Sequence, residues 1–292
     1  MDLIYKLICT VISGICGSVP FSADGLRSVV DHFLNTSTEP DPYAMLFVIA
    51  GTGAAFLARY WRRVFAAAAG SFRMLSGICG KGFNYSEEST PQQRDAVMSL
   101  MSLVPTASVL LIGERMTVTA VDRDIIVEGI CFLFCGVLLA AACRNPAGDK
   151  SDGTVTFGHS LIIGAASVLG IYPGISALSA GLSAALLLGY EPGYALRRTL
   201  MPSLTVSLFA VLARIMTTAQ FIPDAAMSAI TAALSAAAGF GAIWLTGWLL
   251  KKERLSLFAY LSIVLGLITV ILGTVETASG MSIAELIAAM KG

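Results

Sequence analysis

A chain of 292 residues that is 56% hydrophobic and 13% charged, with mean hydropathy +0.78, falls well short of the roughly 25% charged residues of a water-soluble globule. Its 19 Lys and Arg balance 19 Asp and Glu, which removes the basic footprint of a nucleic-acid binder. A spanning helix needs roughly 20 apolar residues, so the expectation is an all-α integral membrane protein of about ten helices, folded as a single membrane domain over residues 1–292.

In chain order, the first apolar stretch, about 3–34, carries Lys6 near its start and superficially resembles a signal peptide. It continues past Pro20 without an AxA-like cleavage site, so it is expected to stay in the mature protein. The sequence Ser18-Val19-Pro20-Phe21-Ser22-Ala23-Asp24-Gly25 interrupts it. Spans are then expected near 43–58, 96–113 and 125–143. A second broken stretch, about 157–190, is interrupted at Tyr172-Pro173-Gly174-Ile175-Ser176-Ala177, and three more spans follow near 199–219, 225–250 and 255–275. Proline removes a donor and clashes with the preceding turn, so each broken stretch reads as two short helices joined by a bend.

The two bends repeat one another. Pro20-Phe21-Ser22-Ala23-Asp24-Gly25-Leu26 resembles the run from Pro173 to Leu182, an offset of 153 residues between the prolines. Downstream, Glu39-Pro40-Asp41-Pro42-Tyr43-Ala44 resembles Glu191-Pro192-Gly193-Tyr194-Ala195 at an offset of 152, and Leu57-Ala58-Arg59 matches Leu212-Ala213-Arg214 more weakly. Two matches in one register point to duplication of halves near 1–143 and 157–275.

Lys and Arg accumulate in cytoplasmic loops, and they cluster here at Arg59, Arg62, Arg63, Arg73, Lys81 and Arg94, at Arg144 with Lys150, at Arg197 with Arg198, and at Lys251, Lys252 and Arg254. All four clusters share one side only if each broken stretch is re-entrant. Six full spans and two re-entrant hairpins then form an inverted repeat, the frame of many secondary transporters. Both bends should meet near mid-membrane, with both termini outside the cytoplasm.

Ionisable groups at membrane depth suggest a function or a partner, which singles out Asp24, Arg27 and Asp31. Asp24 and Arg27 are three apart and could pair on one face; Arg27 could instead bind an anion. Ser22 and Ser176 could cap helices or, with Gly174 and free backbone N–H groups, favour a phosphate. A lone histidine is more often a surface or capping residue than a catalyst, which covers His32 and His159. Interfacial solvation accounts for Glu128, Arg214 and Glu276, and an interfacial belt for Trp61, Trp244 and Trp248. The six cysteines (Cys9, Cys16, Cys79, Cys131, Cys135, Cys143) form no CxxC pair and read as small buried hydrophobes; Cys131 and Cys135, one helical turn apart, are too far apart for a disulfide.

Five segments together resemble the undecaprenyl-pyrophosphate phosphatases of the bacitracin-resistance type, bacterial membrane enzymes that remove one phosphate from the carrier lipid of cell-wall synthesis. They are Pro20-x-Ser22, Tyr60-Trp61-Arg62-Arg63-Val64-Phe65, Leu103-Val104-Pro105, Gly136-Val137-Leu138-Leu139-Ala140-Ala141 and Tyr172-Pro173-Gly174-Ile175-Ser176. The resemblance spans nearly the whole chain and implies a bacterial plasma-membrane location, peptidoglycan synthesis, a polyprenyl phosphate ligand and a divalent cation. The family motifs are eroded, however. Its Glu/Gln-x-x-x-Glu pair falls on Ser13 and Gly17, and its Pro-x-Ser-Ser-x-Gly-His becomes Pro20, Ser22, Ala23, Asp24, Gly25 and Leu26. Its Pro-Gly-x-Ser-Arg-Ser-x-x-Thr becomes Pro173, Gly174, Ser176, Ala177, Leu178 and Gly181.

Hydrolysing a pyrophosphate requires compensation of the charge on the transferring group and a base or activated nucleophile. Ser176 is the one retained catalytic candidate, with no identified base beside it. Three readings compete: a diverged phosphatase using Asp24, Arg27 and His32; a non-hydrolytic binder or translocase of lipid phosphate; and a pseudoenzyme scaffold.

Overall fold

The computed structural model describes residues 2–33, 42–80, 97–109, 125–145, 148–151, 154–217 and 224–281. Among these residues there are ten α-helices. The first broken stretch is α1 (Asp2–Cys16) and α2 (Ala23–Phe33); α3 (Pro42–Gly80), α4 (Val97–Val109) and α5 (Ile125–Arg144) follow. The second broken stretch is α6 (Phe157–Val168), a 3-10 turn at Leu169–Ile171 and α7 (Ala177–Leu187). The chain continues as α8 (Pro192–Thr217), α9 (Ala225–Lys251) and α10 (Ser256–Ser279).

Five stretches are long and apolar enough to cross a membrane: Tyr43–Arg62, Ile125–Arg144, Pro192–Ala213, Ala225–Lys251 and Ser256–Ser279. This is a multi-pass membrane protein. Of the six expected spans, the second is described only as the shorter Val97–Val109, and residues 96 and 110–113 of that expectation lie outside the described residues. So do Glu39, Pro40 and Asp41 of the downstream repeat, Lys81 and Arg94, and the side chains of Arg63, Arg73, Cys79 and Arg214. The first span runs on to Gly80 through a kink at Tyr60 (φ −125°, ψ 17°). The span expected at 199–219 starts earlier, with Pro192 opening the helix, where a missing N–H costs nothing.

Why these sequences settle as they do follows from where their small residues fall. Helices associate in lipid through close packing at small side chains. Gly129 of α5 and Gly266 of α10 face each other, and a Cβ on Gly266 would stand 2.7 Å from the Gly129 carbonyl. A Cβ on Gly14 of α1 would stand 2.8 Å from Ser235 Cα of α9, and one on Gly164 of α6 would stand 2.1 Å from the Ser102 carbonyl of α4. The first helix of each broken stretch thus packs through a glycine on a hydroxyl-bearing helix, α1 on α9 and α6 on α4. The opposite faces turn outward: Leu257, Leu261, Val264, Leu267, Ile268 and Ile271 of α10 are each about half exposed, as lipid-facing side chains should be.

The interior is centred on α7 and α8, where Leu178, Leu182 and Leu200 are buried against Leu139 of α5, Ile163 of α6 and Tyr190 of the α7–α8 connection. Buried Arg198 ties three helices there, donating to Ser160 Oγ at 3.0 Å and to Ser99 Oγ at 3.0 Å. The described cysteines Cys9, Cys16, Cys131, Cys135 and Cys143 are free thiols.

Candidate functional site

Both bends fold as tight, capped turns. At the first, Ser22 Oγ accepts from the Gly25 N–H at 3.2 Å and opens α2; at the second, Ser176 is the N-cap of α7 and accepts from the Ser179 N–H at 3.3 Å. The capping role considered for both serines is therefore present. Neither α1, at 15 residues, nor α7, at 11, reaches the roughly 30 Å of a hydrocarbon core at 1.5 Å per residue. The second stretch turns back on itself: a Cβ on Gly170 would meet Ala177 at 2.4 Å, and one on Gly181 would meet Ser167 Oγ at 2.4 Å.

The two bends touch. A Cβ on Gly25 would lie 2.4 Å from Gly174 N and 2.5 Å from Gly174 Cα, and one on Gly174 would lie 2.6 Å from the Glu128 carbonyl. Gly174 also holds φ +92°, a conformation that side chains with a Cβ rarely adopt.

Beside this junction lies a cavity of about 180 Å³. Ser22, Asp24 and Ser176 line it, so three of the expected phosphate-binding candidates come together. Gly174 stands at the bend contact, next to lining residues Pro173 and Ile175. Arg27 is not among the lining residues; its Nε lies 3.4 Å from Asp31 Oδ2, one turn further along α2. The lining also includes Ser13, Gly17, Ala177 and Leu178, four positions at which the resemblance places a carboxylate pair, an arginine and a serine. Those positions do converge on one cavity, but with different chemistry.

Three wall residues escaped the sequence reading: Thr52 of α3, and Ser203 and Ser207 of α8. Each hydroxyl donates to a carbonyl of its own helix, at 3.0 Å to Ile49, 2.9 Å to Leu200 and 3.3 Å to Ser203. Hydroxyls four apart next to Pro202 inside an apolar span were the signal available. Among the described lining residues, Asp24 is the one carboxylate, and Arg, Lys and His are absent. No group of three or more His, Cys, Asp or Glu that could hold a metal ion occurs among the described residues. One carboxylate among hydroxyls does not match the paired carboxylates expected for a divalent cation.

Around the cavity, α2 is held from two sides. Ser28 Oγ donates to Glu128 of α5, and His32 Nε2 lies 2.6 Å from Glu276 Oε2 of α10. Glu128 and Glu276, expected to be explained by interfacial solvation, thus clamp the first bend's helix in place. His159 Nδ1 lies 2.8 Å from Tyr190 Oη, away from the cavity lining.

A profile of the bacitracin resistance protein BacA family matches residues 6–268. The chain belongs to this family. Among curated relatives, the undecaprenyl-diphosphatase of Methanosphaera stadtmanae is 25% identical over 279 residues, covering 94% of this chain and 99% of its own. The undecaprenyl-diphosphatase of a Jannaschia species is 26% identical over 278 residues (93% and 99%), and that of Treponema denticola is 26% identical over 270 (91% and 96%). The family match thus runs over both bends and over the cavity residues between them.

Proposed function

We propose that this chain binds the phosphate head of a polyprenyl (pyro)phosphate carrier lipid at the two-bend cavity without hydrolysing it, in a bacterial plasma membrane with both termini outside the cytoplasm. The observation that carries this reading is that Ser13, Gly17 and Ala177 line the same cavity as Ser22 and Ser176. Breaking a phosphoanhydride needs positive charge on the transferring group and a base. Loss of a single such donor costs about 2.7–4 kcal/mol of transition-state stabilisation, and here several are replaced together by Ser, Gly, Ala and Leu.

What the cavity offers a ligand is hydrogen bonding. Ser22 and Ser176 accept from backbone N–H groups and keep an O–H to donate to phosphate oxygens, Thr52, Ser203 and Ser207 donate to their own helices and offer acceptors to a protonated phosphate oxygen, and α2 and α7 begin at the bends. The Asp24 carboxylate disfavours a fully ionised phosphate and instead accepts from a protonated phosphate oxygen. Gly25 lets the two bend backbones approach closely enough to form one wall.

A second reading, translocation, draws on the glycine-packed α1–α9 and α6–α4 contacts. We propose that residues 1–143 and 157–275 are inverted repeats, a frame suited to alternating access around a shared site.

The deciding experiment incubates purified protein in nanodiscs with labelled undecaprenyl pyrophosphate, with and without divalent metal, beside an active family member. Saturable binding without phosphate release is expected. Robust release that Ser176→Ala abolishes would overturn the proposal. Transbilayer movement of labelled lipid phosphate in vesicles supports the translocase; binding without movement leaves a non-transporting binder or scaffold.

A further inference from the structure

A second groove, of about 860 Å³, lies away from the bend cavity, where α3, α8 and α9 come together with the connection that follows α5. Three cations from three different helices line it: Arg59 of α3, Arg197 of α8 and Lys251 at the end of α9. Each belongs to a different one of the basic clusters seen in the sequence. Arg59 and Arg197 stand over the rings of Tyr60 and Tyr194, at 5.5 and 6.0 Å. Arg197 Nε is buried and makes no hydrogen bond among the described residues, which is costly for a guanidinium N–H. Two carboxylates, Glu191 and Glu253, also line the groove. Among the described residues neither forms an ion pair with the three cations within 4 Å, and the balance is one net positive charge.

One side of this groove is aromatic. Trp244 and Trp248 line it, 62% and 43% exposed, and Phe240, one turn deeper on α9, is 47% exposed. Residues four apart share a helix face, so the three rings form a stripe about 12 Å long at 1.5 Å per residue, leading from the charged groove along the lipid-facing side of α9. Indole rings favour the headgroup level of a bilayer.

We propose that this groove is a binding site for an anionic diacyl phospholipid of the phosphatidylglycerol class. The phosphodiester takes the net positive charge of Arg197, Arg59 and Lys251, the head hydroxyls donate to Glu191 or Glu253, and one acyl chain follows the Phe240–Trp244–Trp248 stripe. Basic pockets between membrane helices recognise anionic headgroups by the same means. The site is separate from the two-bend cavity and does not depend on what that cavity binds.

The test is native mass spectrometry of the full chain released from nanodiscs holding equal parts phosphatidylglycerol, phosphatidylethanolamine and phosphatidylcholine. Preferential retention of phosphatidylglycerol is expected, with about a fivefold loss for each of Arg59→Gln, Arg197→Gln and Lys251→Gln, in keeping with the usual contribution of one cation near an anionic lipid surface. Circular dichroism checks folding. If Arg197→Gln misfolds, the exposed positions Arg59 and Lys251 decide the matter. Soluble glycerol phosphate should not displace the lipid. Equal retention of the zwitterionic lipids, unchanged retention by the folded variants, displacement by glycerol phosphate, or complete displacement by equimolar polyprenyl monophosphate would each overturn the assignment.

Discussion

Gly25→Ala is the sharpest perturbation of the bend junction. The new Cβ would lie 2.4 Å from Gly174 N, 2.5 Å from Gly174 Cα and 2.8 Å from Phe132 Cε2. Two of these neighbours are backbone, and the third belongs to a fully buried ring that also packs on Phe21 at 5.5 Å between centroids. None can yield without moving a bend, so the overpacking cost should fall at about 1–3 kcal/mol. Gly174→Ala, whose Cβ would stand 2.6 Å from the Glu128 carbonyl, adds the strain of a Cβ at φ +92°, about 1–2 kcal/mol more. Reversible unfolding in mixed detergent micelles measures both, with lipid-phosphate affinity measured in parallel. Affinity should fall along with stability, because separating the bends pulls Ser22 from Ser176. A Gly25→Ala protein with wild-type stability and affinity would refute the claim that the bends meet.

Other expectations follow from the same geometry. Ser176→Ala should remove the α7 cap, costing about 0.5–2 kcal/mol, and weaken lipid-phosphate binding with no change in phosphate release, by unfolding titration and ligand binding. Lipid-monophosphate affinity should decline from pH 6 to pH 8 as the ligand loses its second proton, whose pKa is about 6 in phosphomonoesters; in Asp24→Asn that decline should flatten, and an equally steep profile would remove Asp24 from contact with the phosphate. Arg198→Met should destabilise by about 1.5–3 kcal/mol, since Ser99 and Ser160 lose a charged donor, which equilibrium unfolding reads directly. Installing Ser13→Glu, Gly17→Glu, Leu26→His and Ala177→Arg together should raise metal-dependent phosphate release above the wild-type background.

The broken stretches were legible because proline and glycine act locally: Pro20 and Pro173 lie in the turns the structure shows, and Ser22 and Ser176 cap the helices that follow. The meeting of the bends was inferable from the repeat, but the Gly25–Gly174 contact joins residues 149 apart, and no local pattern encodes such a pairing. The roles of Glu128 and Glu276 were missed for the same reason, since their partners Ser28 and His32 lie on a helix distant in sequence. Thr52, Ser203 and Ser207 were hidden because a hydroxyl that bonds its own helix is common in any apolar span. The Arg27–Asp31 contact was equally open to sequence reading as the Asp24–Arg27 pairing, since both spacings share a helix face.

Phosphorus NMR on undecaprenyl pyrophosphate bound to the wild-type protein separates binding from hydrolysis, because it reports ligand contact and bond cleavage in one spectrum. Binding without hydrolysis gives shifted or broadened resonances from both phosphorus atoms of an intact pyrophosphate, stable over hours with divalent metal present. Growth of an inorganic phosphate signal at the expense of the pyrophosphate resonances, lost in Ser176→Ala, would contradict binding without hydrolysis.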